Sequence, residues 1–397
     1  MKVTMISNYI NHHQIPFCEE FYIRLGDGYK FIQTEPMEEE RIKMGWEVEE
    51  EKLPYLLVFD KEAKRCKELI EESDILLIGW NEREELFENR LRGNKLTFRI
   101  SERIYREGQW KAISPRGLIR KYKEHTRYRN KPVYLLCAGA YVASDFSIIK
   151  AYPGKMLRFG YFPEFLTYSL QELEENHPWG REKNEKEIQI VWAGRFIPLK
   201  HPEMVIELAA SLEKRGYRFH IHMVGGGEME EELKLKTEQM HLKERITFYG
   251  FCSPGKVRGI MEKCHIHLFT SNHLEGWGAV VNEAMNCGCV EVVNNQVGAA
   301  PFLIKDGENG FLYSGGSFSE MEEKVIYLLE HPREGSQMGK QAYETIANHW
   351  NAREAVVRLL EFYENWKKGR LLFQEEGPLS KAPVIPVAKR KADNYGK

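Results

Sequence analysis

The chain has 397 residues, a formal net charge of −2 and seven cysteines. Its length exceeds what one hydrophobic core usually supports, so two domains are expected, and the near-zero charge excludes charge-driven nucleic-acid binding as a default. The cysteine spacing fits neither a metal site nor a small disulfide framework, and no apolar run reaches the roughly eighteen residues that a membrane span needs.

Short apolar runs alternate with amphipathic, charge-rich segments along the chain. In the first half, strands are predicted at 3–7, 75–79, 96–100 and 133–136. In the second half, strands are predicted at 188–193, 219–224, 246–249, 266–270 and 290–293, with helices at 203–215, 228–240, 256–262 and 280–286. Such strand–helix alternation predicts two doubly wound, Rossmann-like α/β domains with parallel sheets.

The domain boundaries follow from changes in composition. We predict a first domain at 1–166, a polar, acidic linker at 167–186, and a second domain at 187–348. A long amphipathic helix follows within 349–372, and the Pro- and Lys-rich tail at 373–397 is expected to be poorly ordered. The first residues are interpreted as a core strand rather than a signal peptide, which together with the free thiols predicts a cytoplasmic location.

The turn after the first strand of the second half carries two cations. Gly194 and Arg195 follow that strand directly, and Lys200 precedes a helix that Pro202 opens. Ligands of open α/β sheets bind at the carboxyl ends of strands, where two fixed cations would neutralise a diphosphate. A solvated pair of surface cations is the alternative.

Two further turns could address a nucleotide. Gly225-Gly226-Gly227 follows one strand, and Tyr249-Gly250-Phe251 follows the next. The second turn could hold a nucleobase through backbone groups and a ring face, whereas a plain buried strand explains Tyr249 and Phe251 equally well.

Two carboxylates stand eight positions apart around a glycine-rich turn. Glu275 precedes Gly276-Trp277-Gly278, and Glu283 lies in the helix-like run that follows. A glycine turn that feeds a helix presents free N–H groups, which suit phosphates and sugar hydroxyls. A carboxylate such as Glu283 can accept both hydrogen bonds of a ribose diol, although an exposed helix residue is the alternative.

Taken in order, these motifs resemble the donor domain of the GT-B glycosyltransferases, specifically the retaining family numbered four. The resemblance covers about residues 188–345 and ends with the run Asp306-Gly307-Glu308-Asn309-Gly310. It implies a GT-B fold, two Rossmann-like domains facing a central cleft, with the last helix crossing back to the first domain. It also implies that Arg195 and Lys200 hold the donor diphosphate, that Glu275 contacts the sugar, and that Glu283 binds the ribose. The amides of Gly276, Trp277 and Gly278 would help to hold sugar and phosphate.

The first half departs from the family pattern at two places. The first βα turn has Asn11-His12-His13-Gln14 where relatives often have two glycines, so side-chain contact by Asn11, His12 or His13 with sugar or acceptor is expected. Metal binding by the histidine pair is the alternative. Ser101 and Glu102 stand where relatives often carry a histidine. Glu102 could act on an acceptor hydroxyl as a base, and a helix cap at Ser101 is the alternative.

A basic segment at 120–131 carries six cations and two tyrosines. Such a surface could rest on anionic lipid at the inner membrane face, and a solvated helix face is the alternative.

The function expected from the resemblance is retaining transfer of a sugar from a UDP- or GDP-linked donor to a saccharide or lipid-linked acceptor, in bacterial surface polysaccharide or glycolipid synthesis. No Asp-x-Asp motif occurs, so no metal and no other cofactor are expected. A sugar-nucleotide epimerase of the same fold and a non-catalytic subunit remain as alternatives. Nucleic acid is not an expected partner.

Overall fold

The computed structural model describes residues 1–39, 42, 48–169, 172 and 187–387. Within these residues the chain forms two compact units, one comprising residues 1–164 with those from 349 onward, and the other residues 165–348. Most of the predicted linker at 167–186 lies outside the described residues. None of the described helices is long and apolar enough to cross a membrane.

Unit 1 is built on a sheet of seven parallel strands. The strands are β1 Val3–Ser7, β2 Tyr29–Gln33, β3 Leu56–Val58, β4 Ile75–Ile78, β5 Leu96–Ser101, β6 Val133–Ala138 and β7 Met156–Phe159. Their order is β3-β2-β1-β4-β5-β6-β7. Every residue of β1, β4 and β6 is buried, as expected for a parallel sheet covered on both faces. The strand order reverses between β1 and β4.

The helices of unit 1 connect these strands. They are α1 Ile15–Leu25, α2 Ala63–Glu72, α3 Glu88–Arg92, α4 Pro115–Glu124 and α5 Val142–Ile148. Pro16 and Pro115 stand in the first turns of α1 and α4, where the missing N–H of proline has no helical partner to lose.

Unit 2 has a second parallel sheet, of six strands. The strands are β8 Ile188–Ala193, β9 Phe219–Val224, β10 Ile246–Phe248, β11 Ile266–Phe269, β12 Val290–Asn294 and β13 Gly310–Tyr313. Their order is β10-β9-β8-β11-β12-β13, so the order reverses between β8 and β11. Ligands of doubly wound sheets bind at such a reversal, beyond the carboxyl ends of the strands.

The helices of unit 2 are α6 Glu203–Lys214, α7 Glu230–Gln239, α8 Pro254–Met261, α9 Ala279–Asn286, α10 Ala300–Leu303, α11 Phe318–Glu330 and α12 Pro332–Asn348. Leu208, Ile221 and Val292, from a helix and two strands, lie in one buried cluster of this unit. Two doubly wound α/β domains with parallel sheets, as the sequence predicted, are therefore confirmed.

The last helix, α13 Ala352–Lys367, packs on unit 1. The Phe362 ring lies 5.5 Å from the Phe98 ring and 5.0 Å from the Tyr134 ring, centroid to centroid. The Tyr363 hydroxyl donates to Asp74 Oδ1 at 3.0 Å. Aromatic contacts to β5 and β6 thus fix the helix against the sheet of unit 1.

The tail differs from the prediction of poor order where the structure describes it. Leu379 is 2% exposed, and its N–H donates to Arg158 O at 2.9 Å. Ser380 O accepts from Arg158 N at 2.8 Å, so the tail pairs with the edge strand β7. The polar composition suggested disorder, but Leu379 is buried, backbone hydrogen bonds join the segment to the edge strand β7, and the Arg358 side chain donates to Glu376 O and Pro378 O.

Candidate active site

Three neighbouring turns form a rim at the carboxyl ends of β8, β9 and β10 in unit 2. Backbone hydrogen bonds join them: Gly194 N to Val224 O at 3.0 Å, Phe196 N to Gly226 O at 2.9 Å, and Gly225 N to Gly250 O at 2.9 Å. Gly225 has φ +130°, and a Cβ there would lie 1.9 Å from Gly194 O. Only glycine permits this approach, which places Gly194 and Arg195 at a fixed position on the rim.

The two motif residues Lys200 and Glu275 meet at the strand-order reversal. Lys200 ends a short 3₁₀ turn, Pro198–Lys200, after β8, while Glu275 lies in the loop after the adjacent strand β11. Their side chains form an ion pair and are only 14% and 16% exposed. Lys200 Nζ also lies 5.1 Å from the centroid of the Phe269 ring. The sequence predicted both residues, and the structure brings them together.

Arg195 presents a second cation on the same rim. Its side chain is exposed, and none of the residues described by the structure forms an ion pair with it. An exposed guanidinium can form two parallel hydrogen bonds to an anionic ligand, which suits the predicted diphosphate contact.

The loop from Ser271 to Gly278 is shaped by local hydrogen bonds. Asn272 N donates to Leu199 O at 3.0 Å, and Asn272 Oδ1 accepts from Leu274 N at 3.0 Å. Gly278 has φ +89°, and a Cβ there would lie 2.8 Å from the Phe269 ring. This glycine therefore allows the loop to turn directly into the N-terminus of α9, whose N–H groups point towards the loop.

The Trp277 side chain is buried beneath the loop. Its side chain is 1% exposed, and Nε1 donates to Asn282 Oδ1 at 2.8 Å. Trp277 O accepts from Ala299 N at 3.0 Å. The indole is a packing element beneath the loop, which is consistent with a predicted role for the amide rather than the ring.

Glu283 stands in the second turn of α9. It is partly exposed between Asn282 and Ala284, both buried, so it lies on the outer side of the helix. With a rise of about 1.5 Å per residue, it is roughly 6 Å along the axis from Ala279. Because of this offset, Glu283 could contact a different part of a ligand from the part that Glu275 could contact.

Tyr249 and Phe251, which follow β10, differ in how freely their side chains can contact a ligand. The Tyr249 hydroxyl lies 2.9 Å from His222 Nδ1, and His222 Nε2 lies 2.8 Å from Gln189 Oε1, so this tyrosine is tied to the sheet. Burial lowers the pKa of His222 to about 4, which keeps the imidazole neutral. Phe251 is 69% exposed beside Gly226 and is the ring that a nucleobase could contact.

In unit 1, His12 and His13 lie together in the loop between β1 and α1. Their ring centroids are 3.8 Å apart. Burial lowers the pKa of both, with the pKa of His13 reaching about 3, so both are neutral at pH 7. Among the residues described, no group of three or more His, Cys, Asp or Glu side chains is arranged to hold a metal ion.

Ser101 and Glu102 follow the carboxyl end of β5. Ser101 is the last residue of that strand and does not cap a helix. The Glu102 carboxylate accepts a hydrogen bond from the Tyr161 hydroxyl at 2.7 Å and forms an ion pair with Arg106. Glu102 would have to exchange these partners before it could act as a base.

Sequence reasoning missed His201. This residue has φ 48°, and its Nδ1 lies 2.8 Å from Glu203 Oε1 while its Nε2 lies 3.2 Å from Asn272 Nδ2. It thus links the turn after β8 to the loop after β11. A histidine between Lys200 and a helix-starting proline was the available signal, but its partner Asn272 is distant in sequence.

Comparisons with known proteins agree with this architecture. Residues 174–345 match the model of the family described as Glycosyl transferases group 1. EpsD of Bacillus subtilis (strain 168) is 25% identical over 193 residues, which are 49% of this chain and 48% of that protein. The poly(ribitol-phosphate) alpha-N-acetylglucosaminyltransferase of Staphylococcus aureus (strain COL) is 23% identical over 173 residues, which are 43% of this chain and 34% of that protein. The chain spans about half the length of the curated relatives it matches, or less.

Solved structures match over most of the chain. Anabaena Alr3699/HepE, crystallised with UDP, has a TM-score of 0.65 at 14% identity and covers 91% of this chain and 100% of that one. The lipopolysaccharide outer core galactosyltransferase WaaB has a TM-score of 0.63 at 14% identity, covering 92% and 100%. At these identities the likeness shows the fold, which is GT-B; the narrower assignment to family 4 stays a prediction. Residues 174–345 thus match the Glycosyl transferases group 1, and the two units have the GT-B fold.

Proposed function

We propose that this protein transfers a sugar from a UDP- or GDP-linked donor to a saccharide or lipid-linked acceptor, with retention of anomeric configuration. The observation that carries the proposal is the ion pair of Lys200 with Glu275 at the strand-order reversal of unit 2, beside the exposed Arg195. This arrangement offers cations for a diphosphate and a carboxylate for sugar hydroxyls at the carboxyl ends of β8 and β11.

Each residue has a distinct role in this proposal. Arg195 and Lys200 bind the diphosphate and stabilise the charge that builds on it as the sugar leaves. Glu275 accepts hydrogen bonds from the donor sugar. Glu283 binds the ribose hydroxyls, and Phe251 contacts the base. The TarM protein of S. aureus and Anabaena HepE, both crystallised with UDP, share the fold and support a nucleoside diphosphate as the ligand class.

The chemistry needs no enzymatic nucleophile. The acceptor oxygen would attack the anomeric carbon on the face that the phosphate leaves, the bond from that carbon to the phosphate oxygen would break, and the departing phosphate would take the acceptor proton. Lys200, Arg195 and the N–H groups at the start of α9 would supply the electrostatic stabilisation, so the proposal includes no metal ion.

The setting of the reaction is part of the same proposal. We infer a cytoplasmic protein that makes peripheral contact with the inner, anionic membrane face in the synthesis of a bacterial surface polysaccharide or glycolipid. The name of the S. aureus relative, which identifies a poly(ribitol-phosphate) acceptor, supports a surface polymer as the acceptor class.

The test is thermal unfolding of the full chain with UDP, GDP, ADP and their sugars. A ligand at a hundred times its dissociation constant adds about 2.7 kcal/mol to the free energy of unfolding. We expect stabilisation by one nucleotide, weakened in Glu283→Ala and retained in Glu232→Ala, an exposed glutamate of α7 in the same unit. If none of the nucleotides stabilised the protein, a non-catalytic subunit would be supported. If the donor sugar were converted without an acceptor, the protein would be an epimerase instead.

A further inference from the structure

Thr270 follows the last residue of β11 directly, and its side chain is 1% exposed. The hydroxyl Oγ1 donates to Lys200 O at 2.6 Å, across 70 residues of sequence. The same oxygen accepts a hydrogen bond from Trp192 Nε1 at 2.8 Å. One buried hydroxyl therefore joins β8, the carboxyl end of β11 and the backbone of Lys200.

The directions of these two hydrogen bonds follow from the chemistry of the three groups. An indole N–H can only donate, so Trp192 occupies a lone pair of the Thr270 hydroxyl. The single hydroxyl proton then points to Lys200 O, which can only accept. Because each bond polarises the hydroxyl in the sense that strengthens the other, the two bonds support one another.

Packing beneath the rim fixes the Trp192 indole, from which these bonds begin. The side chain is 2% exposed, and its ring centroid lies 5.4 Å from that of Phe196. A Cβ on Gly194 would lie only 3.2 Å from the indole ring, so the backbone of the rim rests closely on it. The indole N–H consequently offers the Thr270 hydroxyl a fixed partner.

The backbone at Lys200 is one that needs external support. The next residue, His201, has φ 48°, in the left-handed region that side chains other than glycine rarely adopt. A second bond, from Asn272 N to Leu199 O at 3.0 Å, joins the same two segments of chain. The turn that carries Lys200 is thus fastened at two consecutive residues to the loop that carries Glu275.

We propose that Thr270 is a positioning residue of the nucleotide site, whose hydroxyl fixes the Lys200 backbone so that the ammonium group reaches both Glu275 and the donor diphosphate. The lysine side chain is a flexible four-carbon stem, so the place of its charge depends on a fixed Cα. Thr270 is itself too buried to contact a ligand. The inference rests on the proposed function for its diphosphate and adds to it a residue that acts through Lys200.

A purely structural role is the competing explanation. A buried indole N–H and a buried carbonyl both require hydrogen-bond partners, and the Thr270 hydroxyl supplies one to each. If this were its whole contribution, removal of the hydroxyl would lower the free energy of unfolding and leave the position of Lys200 unaltered. The experiment therefore measures the geometry of Lys200 separately from stability.

The first measurement needs no ligand. The coupling energy between Lys200 and Glu275 is obtained by urea unfolding of Lys200→Met, Glu275→Gln and the double variant, with and without a change at Thr270. Thr270→Val, which keeps the branched shape but lacks the hydroxyl, should reduce the coupling to about half or less, whereas Thr270→Ser should retain it. Thr270→Ala takes the place of Thr270→Val if valine prevents folding.

Thr237 provides the matched control in the same unit. Its side chain is 3% exposed in α7, and its hydroxyl donates to Leu233 O at 2.8 Å. Thr237→Val also removes a buried hydroxyl bonded to a backbone carbonyl, so it should lower the free energy of unfolding. It should leave the coupling between Lys200 and Glu275 unchanged.

The second measurement is calorimetric titration with UDP and with GDP, at a temperature where every variant is folded. Thr270→Val should weaken the nucleotide that binds at least about fivefold, as a displaced cation would, while Thr270→Ser and Thr237→Val should bind as the unaltered protein does. In the Lys200→Met background, Thr270→Val should have no further effect on affinity, because the group it positions is already absent.

Three results would overturn the proposal: a coupling between Lys200 and Glu275 that Thr270→Val leaves unchanged, a loss of affinity that persists in the Lys200→Met background, or an equal loss in Thr237→Val. If the unaltered protein bound neither nucleotide, the proposed function would fail. The ligand-free coupling would even then decide whether Thr270 positions Lys200.

Discussion

The ion pair of Lys200 with Glu275 makes a prediction about both stability and ligand binding. The two side chains are 14% and 16% exposed, so each charge has little water to replace its partner. Removing one partner of a fully buried pair costs about 3–5 kcal/mol, and the residual exposure reduces this to about 2–3 kcal/mol for Glu275→Gln. Lys200→Met should cost a similar amount, because it strands the carboxylate and also removes the cation from the Phe269 ring, a contact of about 1 kcal/mol.

The assay is urea unfolding of Glu275→Gln, Lys200→Met and the double variant at pH 7. The double variant leaves neither charge stranded, so we expect a coupling energy of about 1–3 kcal/mol between the two sites. The affinity for UDP should respond differently to the two single substitutions. Lys200→Met should weaken UDP at least about tenfold, whereas Glu275→Gln should bind free UDP as well as the unaltered protein or better, because Lys200 is released from a competing carboxylate.

Two results would refute this reasoning. A coupling energy below about 0.5 kcal/mol would mean that solvent already screens the pair, as it does for exposed ion pairs. Equal loss of UDP affinity in both single variants would mean that Glu275 contributes to diphosphate binding only by positioning Lys200.

Three further predictions concern other parts of the molecule. Gly225→Ala should destabilise unit 2 by more than about 3 kcal/mol in urea unfolding, because its Cβ would lie 1.9 Å from Gly194 O, and a stable variant with unaltered nucleotide binding would contradict the rim geometry. Burial lowers the pKa of His222 to about 4, so between about pH 4 and 6.5 this histidine binds a proton in the unfolded chain but not in the folded one. The free energy of unfolding should therefore fall as the pH drops through that range. His222→Gln should make this fall measurably smaller. Leu379→Ala should lower the free energy of unfolding by about 2–4 kcal/mol because the side chain is 2% exposed, whereas Val384→Ala, at 55% exposure, should have little effect.

The sequence predicts strands best where they are continuous apolar runs. The bounds of β1, β8 and β9 agree with prediction to the residue. By contrast, β2 contains Lys30, which is 7% exposed and pairs with Asp27 at 3.0 Å. A buried lysine satisfied by a local carboxylate interrupts the apolar pattern, so this strand was missed. The short strands β3 and β13 were also missed, although strands of similar length such as β10 were predicted.

The sequence identified Lys200 and Glu275 as candidate site residues but did not predict the contact between them. Lys200 and Glu275 are 75 residues apart, and their pairing depends on β8 and β11 being neighbours in the sheet. Strand order depends on the whole fold, because the neighbours of each strand are determined by the connections between all the strands of the sheet. The orientation of Tyr249 towards His222 and the burial of the Trp277 indole likewise depend on tertiary packing that local patterns do not encode.

The rim of unit 2 separates the parts of the site that must be kept from those that are free to change. The turns after β8, β9 and β10 are joined to one another by backbone N–H and C=O groups, and the close approach at Gly225 involves backbone atoms alone. Substitution of an outward-facing side chain on these turns, such as Arg195 or Phe251, therefore leaves those joining bonds intact. Under the proposed function, such a scaffold could acquire a different base or sugar preference through single substitutions at little risk to folding, so that related proteins could diversify in the donors they use.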